Sequence, residues 1–399
     1  AGAMRHVRRT VRTALAALLL AACVSPAAGP AAGPSATPGS TVTTRPATGA
    51  PTATPTPQPK VPAIREETVQ RGLSLPWDLA FLPDGRMLVT ERAGTLLVFE
   101  SGEPNARRLA AHPVPDVRAQ GESGLMGIAV DPAFATNRLL YVCASRTDEG
   151  EWRNQVLRFR LDATALVFDG YVIRQGMRAA SIHDGCRILI GPDGKLWATM
   201  GDAAQQSLSQ DVSSLNGKVL RVNLDGTIPS DNPILPGAAG RTAVYSYGHR
   251  NPQGLAFEPG TGRLFEVEHG QNDHDEINLI RPGANYGWPA QRGPGGTARG
   301  FVDPLWTSGA AGTLATSGGT FVSGAQWGLW SGSLFVASLK EADLRRFSVA
   351  GETVTERETL LDRTYGRLRS PLLGPGGALY VTTSAGSGDR IVRLVPSVD

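Results

Sequence analysis

The chain has 399 residues and carries 39 Lys and Arg against 36 Asp and Glu, a formal net charge of +3. That length fits one large β domain or two ordinary domains, and the near-neutral balance leaves no basis for a nucleic-acid partner. The 48 glycines punctuate short apolar runs without long helical periodicity, which predicts an all-β protein and excludes a helical one.

In chain order, the first element is a targeting segment. Arg5, His6, Arg8, Arg9 and Arg12 form a basic region, and Ala14 to Leu20 an apolar stretch too short to span a bilayer. It runs into Leu20-Ala21-Ala22-Cys23, which reads as a bacterial lipobox whose cysteine thiol receives a lipid. An ordinary secretory signal with an incidental Cys23 is the alternative. Residues 24–62 are Ala, Pro, Thr, Gly and Ser with few bulky apolar side chains, so they predict a flexible linker holding the body off the membrane. Residues 1–23, 24–62 and 63–399 are thus read as signal, linker and folded domain.

The body repeats an apolar strand, a Pro-Asp-Gly-type turn and a second apolar strand. The clearest copies are residues 79–90 and 187–199, with others at 127–142 and 254–267 and degenerate ones at 318–336 and 370–382. Most are followed by a further strand, such as Lys218-Val219-Leu220-Arg221-Val222 or Arg390-Ile391-Val392-Arg393-Leu394. Six units of three to four strands predict a six-bladed β-propeller, with long loops collected at one mouth of the channel. Cys143 and Cys186 could pair outside the cytoplasm, but their spacing gives no distance. Two buried free thiols are slightly favoured.

Four polar loops flank the blade cores: residues 181–187, 245–255, 268–276 and 366–369. They carry arginines and histidines. A ring of arginines with a histidine suits a polyanionic ligand plus proton transfer. His269, Asp273 and His274 have no spacing that fits zinc.

The segment Gly248-His249-Arg250-Asn251-Pro252-Gln253-Gly254-Leu255 resembles the signature of the soluble pyrroloquinoline quinone (PQQ)-dependent aldose sugar dehydrogenases. Asp275-Glu276-Ile277-Asn278-Leu279-Ile280, Gly283 to Pro289, and Gly217-Lys218-Val219-Leu220-Arg221 with Asp225 to Pro233 match the same family in order. The resemblance runs from about Leu75 to the C-terminus and implies a six-bladed propeller that oxidises the anomeric carbon of aldoses to lactones. It implies that His183 is the general base and Asp202 the carboxylate that orients it. Arg250 would face the quinone oxygen that gains negative charge. Asn251, Lys340, Arg367, Arg369, Thr313 and Glu122 would line the cofactor, whose three carboxylates call for fixed cations. Alternation in an extended segment would put Arg367 and Arg369 on one face. Calcium would bind the carbonyls of Gly270 and Gln271, and a second ion Glu276 and the carbonyl of Tyr286.

The chain departs from the family pattern at Cys186, where many members have Gly, and at Gln271, where many have Pro. Gly374-Pro375-Gly376-Gly377 replaces a Pro-Asp-Gly turn. The implied partners are an aldose, an electron acceptor whose identity the sequence leaves open, and a membrane through Cys23. The rival readings are a propeller that binds glycans or proteins without turnover, and a metal-dependent lactone hydrolase.

Overall fold

The structure is a computed structural model that describes residues 58–398 apart from Thr164. The targeting segment, Cys23 and nearly all of the linker lie outside the described residues. Six four-stranded antiparallel sheets follow one another along the chain. Blade 1 spans residues 76–113, blade 2 125–173, blade 3 188–247, blade 4 252–307 and blade 5 316–360. Blade 6 takes three strands from residues 368–397 and its outermost strand, Ala63–Leu73, from the other end of the chain. That strand pairs antiparallel with Asp389–Ser397. The ring therefore closes only when both ends of the domain meet, which protects the last open edge. Successive first strands touch around the ring, and that of blade 6 touches that of blade 1.

Each blade buries both faces against its neighbours, which is why its middle strands read as nearly continuous apolar runs instead of alternating ones. Six apolar clusters fill the six seams. Leu88 and Leu140 lie between blades 1 and 2, Tyr141 and Met200 between 2 and 3, and Trp197 and Leu264 between 3 and 4. Phe265 and Leu334 join blades 4 and 5, Phe335 and Leu379 join 5 and 6, and Met87 and Tyr380 join 6 and 1.

The antiparallel order sorts the connections by side. Turns between the first and second strands, including Pro83-Asp84-Gly85 and Pro192-Asp193-Gly194, fall at one end of the channel. Loops between the second and third strands, and those leading into the next blade, fall at the other. Residues 119–124, 179–187, 201–217, 248–251, 268–275 and 313–315 are all of this second kind. The topology alone therefore gathers the polar loops at one mouth.

One expectation is overturned. Cys143 and Cys186 are joined in a disulfide across the seam of blades 2 and 3, with their Cα atoms 5.7 Å apart. Sequence spacing cannot reveal this, because the partners come from different blades and meet only when those blades pack.

Candidate active site

His183 stands in the loop that leads into blade 3. Its Nδ1 lies 2.7 Å from Asp202 Oδ1, and its Nε2 lies 2.9 Å from Arg250 Nη2. Arg250 is a donor only, so Nε2 must offer its lone pair and the ring proton must sit on Nδ1. A neutral imidazole of this tautomer can accept a proton at Nε2 when Arg250 Nη2 gives way.

Asp202 is fully buried and is held by donors on both oxygens. Oδ1 accepts from His183 and from the amide of Ala204 (2.9 Å), while Oδ2 accepts from Trp288 Nε1 (2.9 Å). The 201–217 loop that carries Asp202 is pinned by buried Lys218, whose ammonium donates to the carbonyls of Leu208 and Asn216 at 2.8 and 2.6 Å. Burial pulls the Lys218 pKa down to about 7. Glu122 Oε2 accepts from the amide of His183 (2.8 Å) and from Asn251 Nδ2 (3.1 Å). Asn251 in turn accepts the amide of Gly185 at 3.2 Å. Thus His183, Asp202, Arg250, Asn251 and Glu122, drawn from four separate loops, form one network.

Arg250 also donates Nη1 to the carbonyls of His269 (3.0 Å) and Gly270 (2.8 Å), which joins this network to the 268–276 loop of blade 4. Its Nε is buried without a partner, and burial lowers its pKa. Asp275 organises the far side of that loop, accepting from the amide of Gly270 (2.8 Å), Thr313 Oγ1 (2.8 Å) and the amide of Leu314 (2.5 Å). The amide of Lys340 meets the Leu314 carbonyl at 3.0 Å, so Lys340 and Thr313 lie side by side, with the Lys340 side chain exposed.

The arginine pair splits. Arg369 is buried and donates to Gln253 Oε1 (3.0 Å) and Ser384 Oγ (3.2 Å), while Arg367 is exposed at the mouth. Arg369 loses its water, and the charges of Arg187, Arg367 and Arg92 add to the effect. Its pKa falls to about 9, although Glu122 opposes the shift. Arg187 is already paired with the buried carboxylate of Asp78 (2.7 Å), whereas Arg92 and Arg369, each acted on by the charge of Arg367, share the opposing charge of Glu122, an arrangement that suits an anion.

The oxygen donors on blade 4 form a second feature. Glu266, Glu268, Glu276 and Asn278 face one another across paired strands. Burial and the charge of Glu268 push the Glu276 carboxyl up to about 8, and Glu266 is raised for the same two reasons. No lysine or arginine pairs with either carboxylate among the described residues, and Glu266 Oε1 and Asn278 Oδ1 are buried without partners. Hard oxygen donors lacking a counter-charge fit a divalent cation such as calcium. Gly270 is buried and Gln271 exposed beside this patch, and Tyr286 closes it. His249 sits close to Glu266 and Glu268, but its ring is engaged at both nitrogens, by Glu268 (3.0 Å) and Ser246 (2.9 Å).

Sequence reasoning did not assign Trp288, Asp275, Arg92, Arg187 or Gln253. Trp288 and Asp275 both lie in the motifs that carry the family resemblance. Arg187 lies in the His183 segment, stacked on Trp77 at 4.2 Å. No local signal marks Arg92, which reaches the site from blade 1.

Comparisons with known proteins give the chain its relatives. The chain is 34% identical over 347 residues to the aldose sugar dehydrogenase YliI of Escherichia coli (strain K12), covering 82% of this chain and 92% of the relative. It is 33% identical over 252 residues to the quinoprotein glucose dehydrogenase B of Acinetobacter calcoaceticus, covering 56% of this chain and 52% of the relative. The PQQ-bound aldose sugar dehydrogenase of Streptomyces coelicolor superposes with a TM-score of 0.74 at 35% identity, covering 85% of this chain and all of the other (100%). The Glucose / Sorbosone dehydrogenase family matches residues 73–393, and the chain, a six-bladed propeller, belongs to that family.

Proposed function

We propose that this protein oxidises aldose sugars at the anomeric carbon to lactones, with PQQ as hydride acceptor and calcium as a resident ion. The observation that carries the reading is His183, held as a neutral base between Asp202 and Arg250 at the edge of a cationic cluster. When bound, PQQ supplies an electrophilic carbonyl carbon that accepts hydride. Arg250, Arg367, Arg369 and Lys340 supply the positive charge that a tricarboxylate requires, and Asn251, Glu122 and Thr313 supply polar contacts. Calcium would be held by the carbonyls of Gly270 and Gln271, and a second ion by Glu276 and the carbonyl of Tyr286.

The chain's own part is proton management. Nε2 of His183 takes the proton of the anomeric hydroxyl as the carbon gives up its hydrogen as hydride. Arg250 already donates to that lone pair, so an incoming hydroxyl exchanges one donor for another. Asp202 then faces an imidazolium, and its buried charge favours that form. Arg250 remains available to stabilise negative charge beside it. The leader reading, with a lipid on Cys23, places this chemistry outside the cytoplasm, and the disulfide suits that compartment.

The test is reconstitution of the apo-protein with PQQ and calcium, followed by dye reduction with a panel of aldoses. Reduction that needs PQQ is expected. His183→Ala should abolish turnover while PQQ still binds. Absence of dye reduction with PQQ bound would favour a binding module or a lactone hydrolase instead, and PQQ-independent reduction would refute PQQ as the acceptor.

A further inference from the structure

We propose that Cys143 and Cys186 are a positioning pair: their bridge holds the loop that presents His183 in its left-handed backbone conformation, and so governs kcat without governing cofactor affinity. This rests on the reading of His183 as the base.

The bridge lies at a loop, not within a sheet. Cys143 is in Leu139–Asp148, the second strand of blade 2, and Cys186 stands three residues after His183 and just before Ile188–Ile190, the inner strand of blade 3. Both are fully buried. Between them the chain passes through an unusual backbone. His183 has φ +62°, Gly185 +60° and Cys186 +64°. Glycine adopts this region freely, whereas residues with a Cβ resist it. Other residues such as Ala203, Ala204 and Ala315 hold positive φ without a covalent tie, whereas at Cys186 the bond to Cys143 adds one.

Release of Cys186 would let its φ return to negative values and would turn the peptide joining it to Gly185. That peptide's amide donates to the Thr199 carbonyl at 2.8 Å, and the Cys186 carbonyl accepts from Gly127 at 3.2 Å. The amide of Gly185 donates to Asn251 and that of His183 to Glu122. Movement at Cys186 therefore propagates to the base within three residues. Arg250 and Arg369 belong to other loops, and the side chain of Arg187, next to Cys186, is held by Asp78 (2.7 Å), the Gln253 carbonyl (2.9 Å) and Ser370 Oγ (2.8 Å), so the cationic cluster stays in place.

Two variants separate positioning from plain stabilisation. Cys143→Ala leaves Cys186 untethered in the left-handed region. It should lower kcat about tenfold, leave PQQ affinity within about twofold, and speed amide exchange over residues 181–187. Adding Cys186→Gly removes the Cβ that resists φ +64°, so kcat and slow exchange should return even though the bridge is gone. Wild-type kcat in Cys143→Ala, or a double variant as slow as the single one, would overturn the proposal. So would free thiols in the oxidised purified protein. If Cys143→Ala does not fold, wild type whose bridge is shown to be open by labelling of both thiols replaces it, and unchanged exchange over 181–187 in that material overturns the idea. The exchange readout needs no cofactor, whereas PQQ-dependent turnover of the wild type tests the functional reading, so the two can fail separately.

Discussion

Asp202→Asn probes the geometry most directly, because every contact to Asp202 is a donor. Its Oδ1 receives His183 Nδ1 (2.7 Å) and the Ala204 amide (2.9 Å), and its Oδ2 receives Trp288 Nε1 (2.9 Å). An asparagine keeps the shape but must turn an NH2 toward one of these groups. If the NH2 faces Trp288, two donors oppose each other in a buried place, at a cost of about 1–3 kcal/mol. If it faces His183, it opposes the Ala204 amide and pushes the ring proton to Nε2, where Arg250 Nη2 is also a donor. The first arrangement removes the charge that stabilises the imidazolium, and the second removes the base's lone pair. Loss of the correct tautomer in a comparable base–carboxylate pair costs about 10⁴ in kcat. A fall of roughly 10²–10⁴ is therefore expected here, equal to about 3–5 kcal/mol of transition-state stabilisation. The assay is steady-state dye reduction with saturating PQQ, alongside a PQQ titration followed by cofactor absorbance. Affinity should stay within about threefold, since Asp202 does not belong to the cationic cluster. A variant with kcat within threefold of wild type would show that Asp202 does not set the state of His183.

Arg369→Met should act with opposite signs on stability and binding. It removes a buried, poorly compensated cation, so the apo-protein should unfold at the same temperature or higher, while PQQ affinity drops about 10–100-fold from the loss of a charge-assisted contact. A variant with unchanged affinity would place the cofactor elsewhere. Saturation of the wild type with PQQ at about 100 times its Kd should add about 2.7 kcal/mol to stability, roughly 4 °C in Tm for a domain of this size, read by calorimetry. Asp184 is buried, and desolvation pushes its carboxyl from 3.8 up to about 8. The folded state therefore holds a proton that the unfolded chain releases, and stability falls as pH rises from about 4 to about 8. Asp184→Asn should flatten that slope and raise Tm at pH 8 but not at pH 4; an unchanged slope would mean that Asp184 is ionised in the fold. Removing the disulfide returns to the unfolded chain entropy worth about 4 kcal/mol for a separation of 43 residues, and should lower Tm by roughly 6 °C in both cysteine variants.

Much was legible in the chain alone because it is local. The repeat of strand, turn and strand specifies blades, since each turn residue and apolar run acts on its own neighbours. The motif around Arg250 and Asn251 and that around Glu276 marked the mouth of the channel for the same reason. The placement of Asp202 beside His183 was inferred by resemblance, and it required the loop entering blade 3 to meet the 201–217 loop between that blade's second and third strands. Arg92 was passed over because nothing near it in the chain distinguishes an arginine at a pore from one in water, and Arg187, although in the polar 181–187 loop, was given no role because its partners Asp78 and Trp77 come from another blade.

What the order of residues determined by itself is therefore the unit: a glycine-punctuated apolar hairpin repeated around a ring, with polar loops at alternate connections. Tertiary structure decided which distant groups became partners. It brought Ala63–Leu73 to Asp389–Ser397, Cys143 to Cys186, and Arg369 into a dry place where its charge is costly. The physical reason is that hydrogen-bonded turns and strand propensity act within a few residues, whereas burial, desolvation and charge pairing depend on distances that exist only after the ring has closed.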